Sequence, residues 1–140
     1  MRQTLIPPQP DFLIQLRRTQ HSVRIRLDAE LGPTGLTTPQ YTVLAALERE
    51  GELSASDLAR EFRMTAQTVN VLVKALESCG LLQRIRHPEH GRILLASLTT
   101  SGRQALTHGR EVALAVQDRV LNRLSPADRA TLMSLLKRVE

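Results

Sequence analysis

The chain has 140 residues, enough for one domain with its own hydrophobic core, and a formal net charge of +5 from 19 Lys and Arg against 14 Asp and Glu. Its single cysteine, Cys79, excludes an intramolecular disulfide and a cysteine-based zinc cluster and is typical of the reducing cytoplasm. Because no apolar run approaches the ~20 residues of a membrane span and the N-terminus lacks a signal-peptide core, we expect a cytoplasmic protein with no membrane partner.

The N-terminal part of the chain predicts an extended arm followed by two helices. Residues 1–10 contain three prolines and are poor helix formers. Asp11 can cap a long helix that runs to about Leu31 and is stopped by the Gly-Pro pair after it. A second helix starts with Thr38 as the cap and Pro39 in the first position, and ends at Gly51. The predicted apolar stripes are Phe12, Leu16, Val23, Leu27 and Leu31 on the first helix, and Tyr41, Val43, Leu44 and Leu47 on the second.

Two short helices follow at the spacing of a helix-turn-helix. Residues 54–62 form an amphipathic pattern that would bury Leu58, Ala59 and Phe62. Thr65 can cap a second helix over residues 66–78, and Gly80 suits the turn that ends it. This second helix places Val69, Leu72, Val73 and Leu76 on one face, at the i, i+3, i+4, i+7 spacing. Two short helices joined by a three- or four-residue turn are typical of a helix-turn-helix.

A basic hairpin is predicted directly after these helices. Residues 81–87 and 92–99 are rich in branched apolar residues and are separated by Pro88-Glu-His-Gly91, which reads as a turn. The hairpin carries Arg84, Arg86, His87, His90 and Arg92. A helix-turn-helix followed by such a hairpin is typical of a winged helix. That unit places one helix in the major groove of DNA and the wing against the neighbouring backbone or minor groove.

The C-terminal part predicts two more helices with apolar faces. One starts at Thr100 or Ser101 and runs to about Leu124, and the next starts at Ser125-Pro126. Their apolar positions are Ala105, Val112, Ala113, Val116, Val120 and Leu124 on the first, and Leu132, Leu135, Leu136 and Val139 on the second. A small winged helix cannot cover these faces and that of the N-terminal helix together. We therefore favour a homodimer over a monomer in which the terminal helices fold back on their own domain.

Several of these segments, in this order, resemble the MarR-type transcriptional regulators. The segments are Leu36-Thr-Thr-Pro-Gln-Tyr-Thr-Val-Leu44, Leu58-Ala59, Thr68-Val69, Leu76-Glu-Ser-Cys-Gly-Leu-Leu-Gln-Arg84, Pro88-Glu-His-Gly-Arg92 and Leu98-Thr-Thr-Ser-Gly102. The resemblance implies a mainly α fold with a small β-hairpin wing. It divides the chain into an N-terminal arm and dimerisation helix (1–36), a winged helix-turn-helix DNA-binding lobe (37–99) and C-terminal dimerisation helices (100–140). Terminal helices of both subunits would intertwine.

The predicted DNA contacts lie on the second helix of the helix-turn-helix and on the wing. Gln67 and Asn70 can each make paired hydrogen bonds to adenine, and the methyl groups of Thr68 or Val71 can touch a thymine methyl. Lys74 is placed to meet a phosphate. The full predicted set is Ser54, Thr65, Gln67, Thr68, Asn70, Val71, Lys74, Arg84, Arg86, His90 and Arg92. The alternative is that the helix presents an ordinary solvated face.

Two positions depart from the family pattern. An arginine often stands in the family where this chain has Val71, so one strong contact to guanine or phosphate is missing. Arg92 occupies the position of the family's minor-groove arginine, but His90 replaces the acid that would orient it. The resemblance therefore implies that Arg92 still enters the minor groove but is held less rigidly.

The resemblance also implies a small aromatic or anionic effector, bound between the dimer helices and the DNA-binding lobe. The candidates by position are Arg17, His21, Tyr41 and His108, each with an ordinary alternative as a surface or capping residue. No cofactor, catalytic residue or metal is expected, because the pair His87 and His90 lacks further ligands. Cys79 follows a helix C-terminus, where the helix dipole opposes thiolate formation, so we favour a packing cysteine over a redox sensor.

The sequence therefore predicts a homodimeric regulator of transcription that binds double-stranded DNA at a pseudo-palindromic operator, represses by occupying it and is released by the effector. The alternative is a winged-helix protein-interaction or architectural DNA-binding module without an effector response. Lys74 is the only cation on the second helix of the helix-turn-helix, which favours that alternative. An enzyme is disfavoured, because the sequence has no Ser/His/Asp grouping and no phosphate-cradling glycine loop.

Overall fold

The computed structural model describes residues 11–140, so the predicted extended arm at residues 1–10 lies outside the described residues. Helices and a small sheet alternate along the chain. In order they are α1 (Phe12–Leu31), a short 3-10 helix (Gly32–Thr34), α2 (Thr38–Glu50), β1 (Leu53–Ser54), α3 (Ala55–Glu61), α4 (Ala66–Ser78), β2 (Leu82–Arg86), β3 (Leu94–Leu98), α5 (Thr100–Val120) and α6 (Pro126–Val139). The predicted mainly α fold with a β-hairpin wing is confirmed.

Side-chain caps set where the first two helices begin. The Asp11 carboxylate accepts hydrogen bonds from the N–H groups of Leu13 and Ile14 at 3.0 and 3.3 Å, as predicted. The cap of α2 was predicted one residue too late. Thr37 is the cap, in a reciprocal capping box with Gln40. Thr38 is already helical, and its hydroxyl instead donates to Asp28 Oδ1 at 2.5 Å, which lowers the pKa of that carboxyl.

The sheet has three antiparallel strands in the order β1-β3-β2. Leu82 pairs with Leu98 at one end of the β2–β3 hairpin, and Leu53 of β1 pairs with Ala96. The sequence predicted the two wing strands, one to two residues too long at their ends, and missed β1. A strand of two residues is too short to show an alternating pattern.

The hydrophobic core lies in the winged lobe, where α2, α3, α4, the sheet and the first half of α5 meet. Its most deeply buried side chains are Val43, Leu44, Leu58, Val69, Leu76, Leu82 and Leu106. The predicted core of α3 is correct for Leu58, whereas Ala59 and Phe62 are only partly buried at its edge. Leu72 of α4 and Tyr41 of α2 are also partly buried. The buried faces of α2, α3 and α4 were therefore predicted correctly. The residues at the edges of these faces are less buried than predicted.

The buried face of α5 differs from the predicted one. Gly102, Leu106, Gly109 and Val116 are buried, whereas Ala105, Val112 and Ala113 are only partly covered. The two glycines lie on this face because other parts of the chain approach the helix too closely there for a larger side chain. A Cβ on Gly102 would lie 1.9 Å from the carbonyl oxygen of Leu81, and one on Gly109 would lie 3.0 Å from the Tyr41 ring. The helix also ends at Val120, before the predicted Leu124, because residues 121–124 form a turn.

The terminal helices leave much of their apolar surface uncovered. On α1 only Leu31 of the predicted stripe is buried, and Phe12 and Leu16 are 57% and 43% exposed. The C-terminal half of α1 packs along α5, where Glu30 and Arg119 form an ion pair at 3.2 Å. Helix α6 begins at the predicted Ser125 cap but has no buried residue. A single chain therefore does not bury the faces that the sequence assigned to a dimer. No helix within residues 11–140 has the length and apolar character needed to cross a membrane.

The close approach at Gly102 gives a direct test of this packing. We expect Gly102→Ala to lower the free energy of unfolding by ~1–3 kcal/mol or more. The new methyl group would overlap the Leu81 backbone, and no side-chain rotation can relieve that overlap. Gly32→Ala is the control, since no atom lies within 4 Å of its Cβ position and its φ of −47° is helical. Thermal unfolding of the two variants measures the difference. Equal stability would contradict the packing of α5 on the Leu81 backbone.

Candidate nucleic-acid interface

The orientation of α4 is fixed by its cap and its buried face. The Thr65 hydroxyl oxygen accepts a hydrogen bond from the Thr68 N–H at 3.1 Å, which starts the helix at Ala66 as predicted. Val69, Val73 and Leu76 are buried in the core. At 3.6 residues per turn, these three side chains fix the rotation of the helix about its axis. The opposite face of α4 must therefore point away from the protein.

That outer face carries the predicted base-contacting side chains. Gln67, Asn70 and Lys74 are exposed, and Val71 is 63% exposed. The Thr68 hydroxyl lies 2.8 Å from the Thr65 hydroxyl, so the two threonines hold each other at the start of the helix. The face therefore combines amide groups, one ammonium group and an apolar side chain, the combination that reads base edges and thymine methyls in a major groove.

The wing stands beside this helix across an open groove. The groove has a volume of about 310 Å³ and brings Asn70 of α4 next to Arg92 of the wing. It is lined by Ser54, Ala55, Ser56, Asn70, Val73, Arg84, Arg92, Ile93, Leu94 and Ala96. Ser56, Ile93 and Leu94 are exposed lining residues that the sequence reasoning missed. Their presence here depends on how the wing folds next to α3, and no local pattern predicts that.

Ser54 lines the groove, but its hydroxyl group already forms hydrogen bonds within the protein. Its hydroxyl donates to the Asp57 carboxylate at 2.6 Å, and the Asp57 N–H donates back to the hydroxyl oxygen at 3.1 Å. This capping box begins α3. The Ser54 hydroxyl, then the Ser54 N–H, and more weakly the charge of Arg60, hold the pKa of Asp57 below its ordinary value.

The arginines of the wing differ in their exposure and in whether they form an ion pair. Arg84 is partly buried, and its Nε lies 3.1 Å from Oε2 of Glu77 as an ion pair, at an angle too poor for a hydrogen bond. This pair ties β2 to the last turn of α4. Arg86 and Arg92 are exposed, and neither forms an ion pair with any carboxylate of residues 11–140. Arg92 thus has no acidic partner to orient it, and its guanidinium is available for an external anion.

Two histidines form the tip of the wing. The rings of His87 and His90 are 5.0 Å apart, and His87 is partly buried whereas His90 is exposed. The part of the chain that the structure describes contains no group of three or more His, Cys, Asp or Glu side chains that could hold a metal ion.

The four effector candidates are spread along three helices. Arg17 and His21 are exposed on α1, Tyr41 packs its ring against Gly109, and His108 is exposed with Nδ1 3.7 Å from Glu111 Oε2. A cavity of about 350 Å³ between α1 and α5 is lined by other residues, namely Ile25, Arg26, Ala29, Glu30, Val116 and Arg119. The role of the four candidates stays a prediction. Arg26 and Arg119 escaped the sequence reasoning because their helices pack side by side only in the folded chain.

Cys79 is exposed, so the prediction that it packs in the core is wrong. The buried face of α4 ends at Leu76, and the helix itself ends at Ser78. Gly80 then turns the chain with a φ of +71°, a conformation that glycine adopts without strain. Cys79 lies between these two points and outside the buried face.

Comparison with known proteins decides the family. The MarR family profile matches residues 34–93. The HTH-type transcriptional repressor Rv2887 of Mycobacterium tuberculosis is 32% identical over 124 residues, which cover 89% of each chain. The chain belongs to the MarR family. It is thus a DNA-binding transcriptional regulator, the class to which these relatives belong, and the relatives are not enzymes.

Solved structures of MarR-family regulators share the whole fold. A probable transcriptional regulator from Pseudomonas aeruginosa superposes with a TM-score of 0.86 at 31% identity, over 94% of this chain and 98% of that one. Rv2887 in complex with salicylic acid gives a TM-score of 0.78 at 30% identity, over 95% and 98% of the two chains, and Rv2887 has also been crystallised with DNA. BpsR of Bordetella bronchiseptica, whose DNA binding is regulated by 6-hydroxynicotinic acid, gives 0.86 at 25% identity over 93% of each chain.

The capping box at the start of α3 predicts a pH-dependent stability. The folded-state pKa of Asp57 is lowered, so its carboxylate stabilises the fold above about pH 4, and this stabilisation is lost as the pH falls through the lowered pKa. We expect Asp57→Asn to cost ~0.5–1 kcal/mol at pH 7, because the side chain is 41% exposed and screened by solvent.

Denaturant unfolding from pH 7 to 3 measures this effect. The difference between wild type and Asp57→Asn should shrink below about pH 4. Glu111→Gln is the control, because Glu111 is 73% exposed and its ion pair is with the exposed His108, so the stability of this variant should follow that of wild type. A pH-independent difference for Asp57→Asn would show that the carboxylate charge is not what stabilises the start of α3.

Proposed function

We propose that the chain acts as a homodimeric repressor that binds a pseudo-palindromic operator with α4 and the wing of each subunit. The observation that carries the proposal is the groove that Asn70 of α4 and Arg92 of the wing both line, where no carboxylate of residues 11–140 is paired to Arg92. The crystal structure of the relative Rv2887 with DNA supports double-stranded DNA as the partner. Occupation of a promoter by such a dimer would block transcription.

Each predicted contact takes a role that fits its environment. Gln67 and Asn70 read adenine, and Val71 and the Thr68 methyl touch thymine methyls in the major groove. The free cations Lys74 and Arg86, together with Thr65 and His90, meet the phosphate backbone, while Arg92 enters the minor groove. Ser54 and Arg84 act mainly by holding α3 and the wing in position, because their polar groups are already paired within the chain.

The dimer would bury the apolar faces that a single chain leaves open. On α6, Leu135 and Leu136 are 49% and 41% exposed, and on α1, Leu13 is 71% exposed. Complete burial of one such side chain stabilises by ~1.5–3 kcal/mol, so several of them together supply a substantial driving force for association. The two-fold axis of such a dimer predicts half-site centres about one helical turn, ~10 bp, apart.

An aromatic acid is the effector class that the proposal includes. The cavity between α1 and α5 offers Ile25, Ala29 and Val116 to a ring and the guanidinium group of Arg26 to a carboxylate, whereas Arg119 is held in its ion pair with Glu30. The salicylic acid bound to Rv2887 and the 6-hydroxynicotinic acid that regulates BpsR support this class. Further effector contacts are proposed at Arg17 and His21 on α1 and His108 on α5, the two helices that border the cavity, and at Tyr41 on α2, which packs against α5 at Gly109.

The role of Arg92 can be tested against a matched loss of charge. Arg92→Ala should weaken binding to a labelled pool of random ~40-bp duplexes about tenfold and reduce the slope of log affinity against log salt by ~1, because one phosphate-region contact is lost. Arg123→Ala removes the same charge from the exposed turn between α5 and α6 and should change neither quantity appreciably. Fluorescence anisotropy at several salt concentrations provides both numbers. Equal effects of the two substitutions would remove Arg92 from the interface.

A further inference from the structure

The turn at the tip of the wing is folded around the His87 imidazole. Nδ1 of His87 accepts a hydrogen bond from the N–H of Glu89 at 3.1 Å and from the N–H of His90 at 3.2 Å. An imidazole nitrogen can accept only when it carries no proton, so the ring must be neutral with its proton on Nε2. Nδ1 takes the place that an Asp or Asn oxygen takes in an Asx turn.

These two bonds belong to a small closed loop that contains Arg92. The His87 N–H donates to the Ile93 carbonyl oxygen at 2.9 Å, and the Ile93 N–H donates to the His90 carbonyl oxygen at 2.8 Å. Residues 88–92 are thereby enclosed between His87 and Ile93. Arg92 has no acidic partner among residues 11–140, so the backbone of this loop is what sets its position.

Charged groups surround the imidazole on several elements. The recess next to His87 is also lined by Glu52, which follows α2, and by Arg103 in the first turn of α5. Asp57 on α3 lies close enough to His87 to feel the positive charge of that ring when it is protonated. His90 contributes a second titratable ring 5.0 Å away. The surroundings of His87 therefore include negative charges on Glu52 and Asp57 and a positive charge on Arg103.

We propose that the wing tip is a pH-responsive element in which protonation of His87 at Nδ1 breaks both hydrogen bonds, opens the turn and loosens Arg92. Imidazole is the side chain that ordinarily changes charge between about pH 5 and 8, which is the range in which the proposal is tested. A consequence at DNA, namely a smaller contribution from Arg92 at low pH, rests on the proposed function. The conformational response does not.

Nuclear magnetic resonance of the full chain tests the conformational response. From pH 8 to 5, the His87 ring should gain a proton at Nδ1, and the amide protons of Glu89 and His90 should shift with the same midpoint. Backbone order parameters at residues 89–92 should fall from about 0.85 to below about 0.6. A ring that titrates while these amides and order parameters stay constant, or a ring that stays neutral at pH 5, would overturn the proposal.

Two variants separate His87 from its neighbour. His87→Asn keeps an oxygen acceptor for both N–H groups but does not titrate, so its wing should stay ordered at every pH. His90→Gln removes the second ring, and the response of the Glu89 amide should persist. If His87→Asn responds to pH like wild type, or if His90→Gln abolishes the response, the titration of His87 is not its cause.

The contribution of Arg92 to DNA binding tests the functional consequence. With the random duplex pool at constant ionic strength, the affinity ratio of wild type to Arg92→Ala should fall from about tenfold at pH 8 to about two- or threefold at pH 5. In the His87→Asn background the same ratio should stay constant. Protonation of His87 also adds a positive charge that strengthens DNA binding by wild type and by Arg92→Ala alike. That contribution cancels in the ratio of the two affinities. A ratio that is large at pH 8 and unchanged at pH 5 would overturn the coupling, whereas a ratio near one at pH 8 would contradict the proposed role of Arg92 and leave the resonance experiment to decide the wing response.

Discussion

The burial of Val69, Val73 and Leu76 is the constraint on which the rest of the structure depends. These side chains join α4 to the core, and their spacing leaves one rotation of the helix in which all three are covered. Gln67, Asn70 and Val71 are exposed as a direct result. The polar groups that a regulator needs for reading bases are therefore positioned by apolar contacts on the other side of the same helix.

A second set of contacts joins the end of α4 to the long helix α5. The Thr99 hydroxyl donates to the Gly80 carbonyl oxygen at 2.6 Å, and the Thr99 N–H donates to the Leu81 carbonyl oxygen at 3.3 Å. Gly102 packs directly on the Leu81 backbone one turn later. The backbone that follows α4 is thus fixed to the first turn of α5. The same helix, α5, also forms one wall of the cavity at Val116 and Arg119.

The sequence predicted best the elements whose signals are local. The bounds of α4 follow from the Thr65 cap, the 3.6-residue apolar repeat and Gly80, all within the segment itself. The cap of α2 was misplaced by one residue because two threonines are adjacent and Asp28, ten positions earlier, binds the second of them. The buried face of α5 was predicted correctly only at Val116, because two of its other members, Gly102 and Gly109, carry no apolar signal.

In the candidate site, too, the features that lie on a single element could be predicted and those that depend on contacts between elements could not. The exposed face of α4 and the basic wing could be predicted because each lies on one element. The pairing of Arg84 with Glu77, the engagement of Ser54 with Asp57 and the groove that includes Ser56 and Ile93 could not, because they depend on contacts between elements or on competition between partners. The acceptor role of His87 is local, but a histidine in place of an Asx residue carries no established turn signal.

Selection of bound sequences from random duplex DNA by the purified protein tests the central claim most directly. A homodimer that presents two copies of α4 about a two-fold axis should enrich an inverted repeat with half-site centres ~10 bp apart. Adenine–thymine pairs should occur where Gln67 and Asn70 reach the bases, and Asn70→Ala should relax the preference at one symmetric pair of positions. Recovery of an unsymmetrical motif, or of no motif despite salt-sensitive binding, would contradict the account.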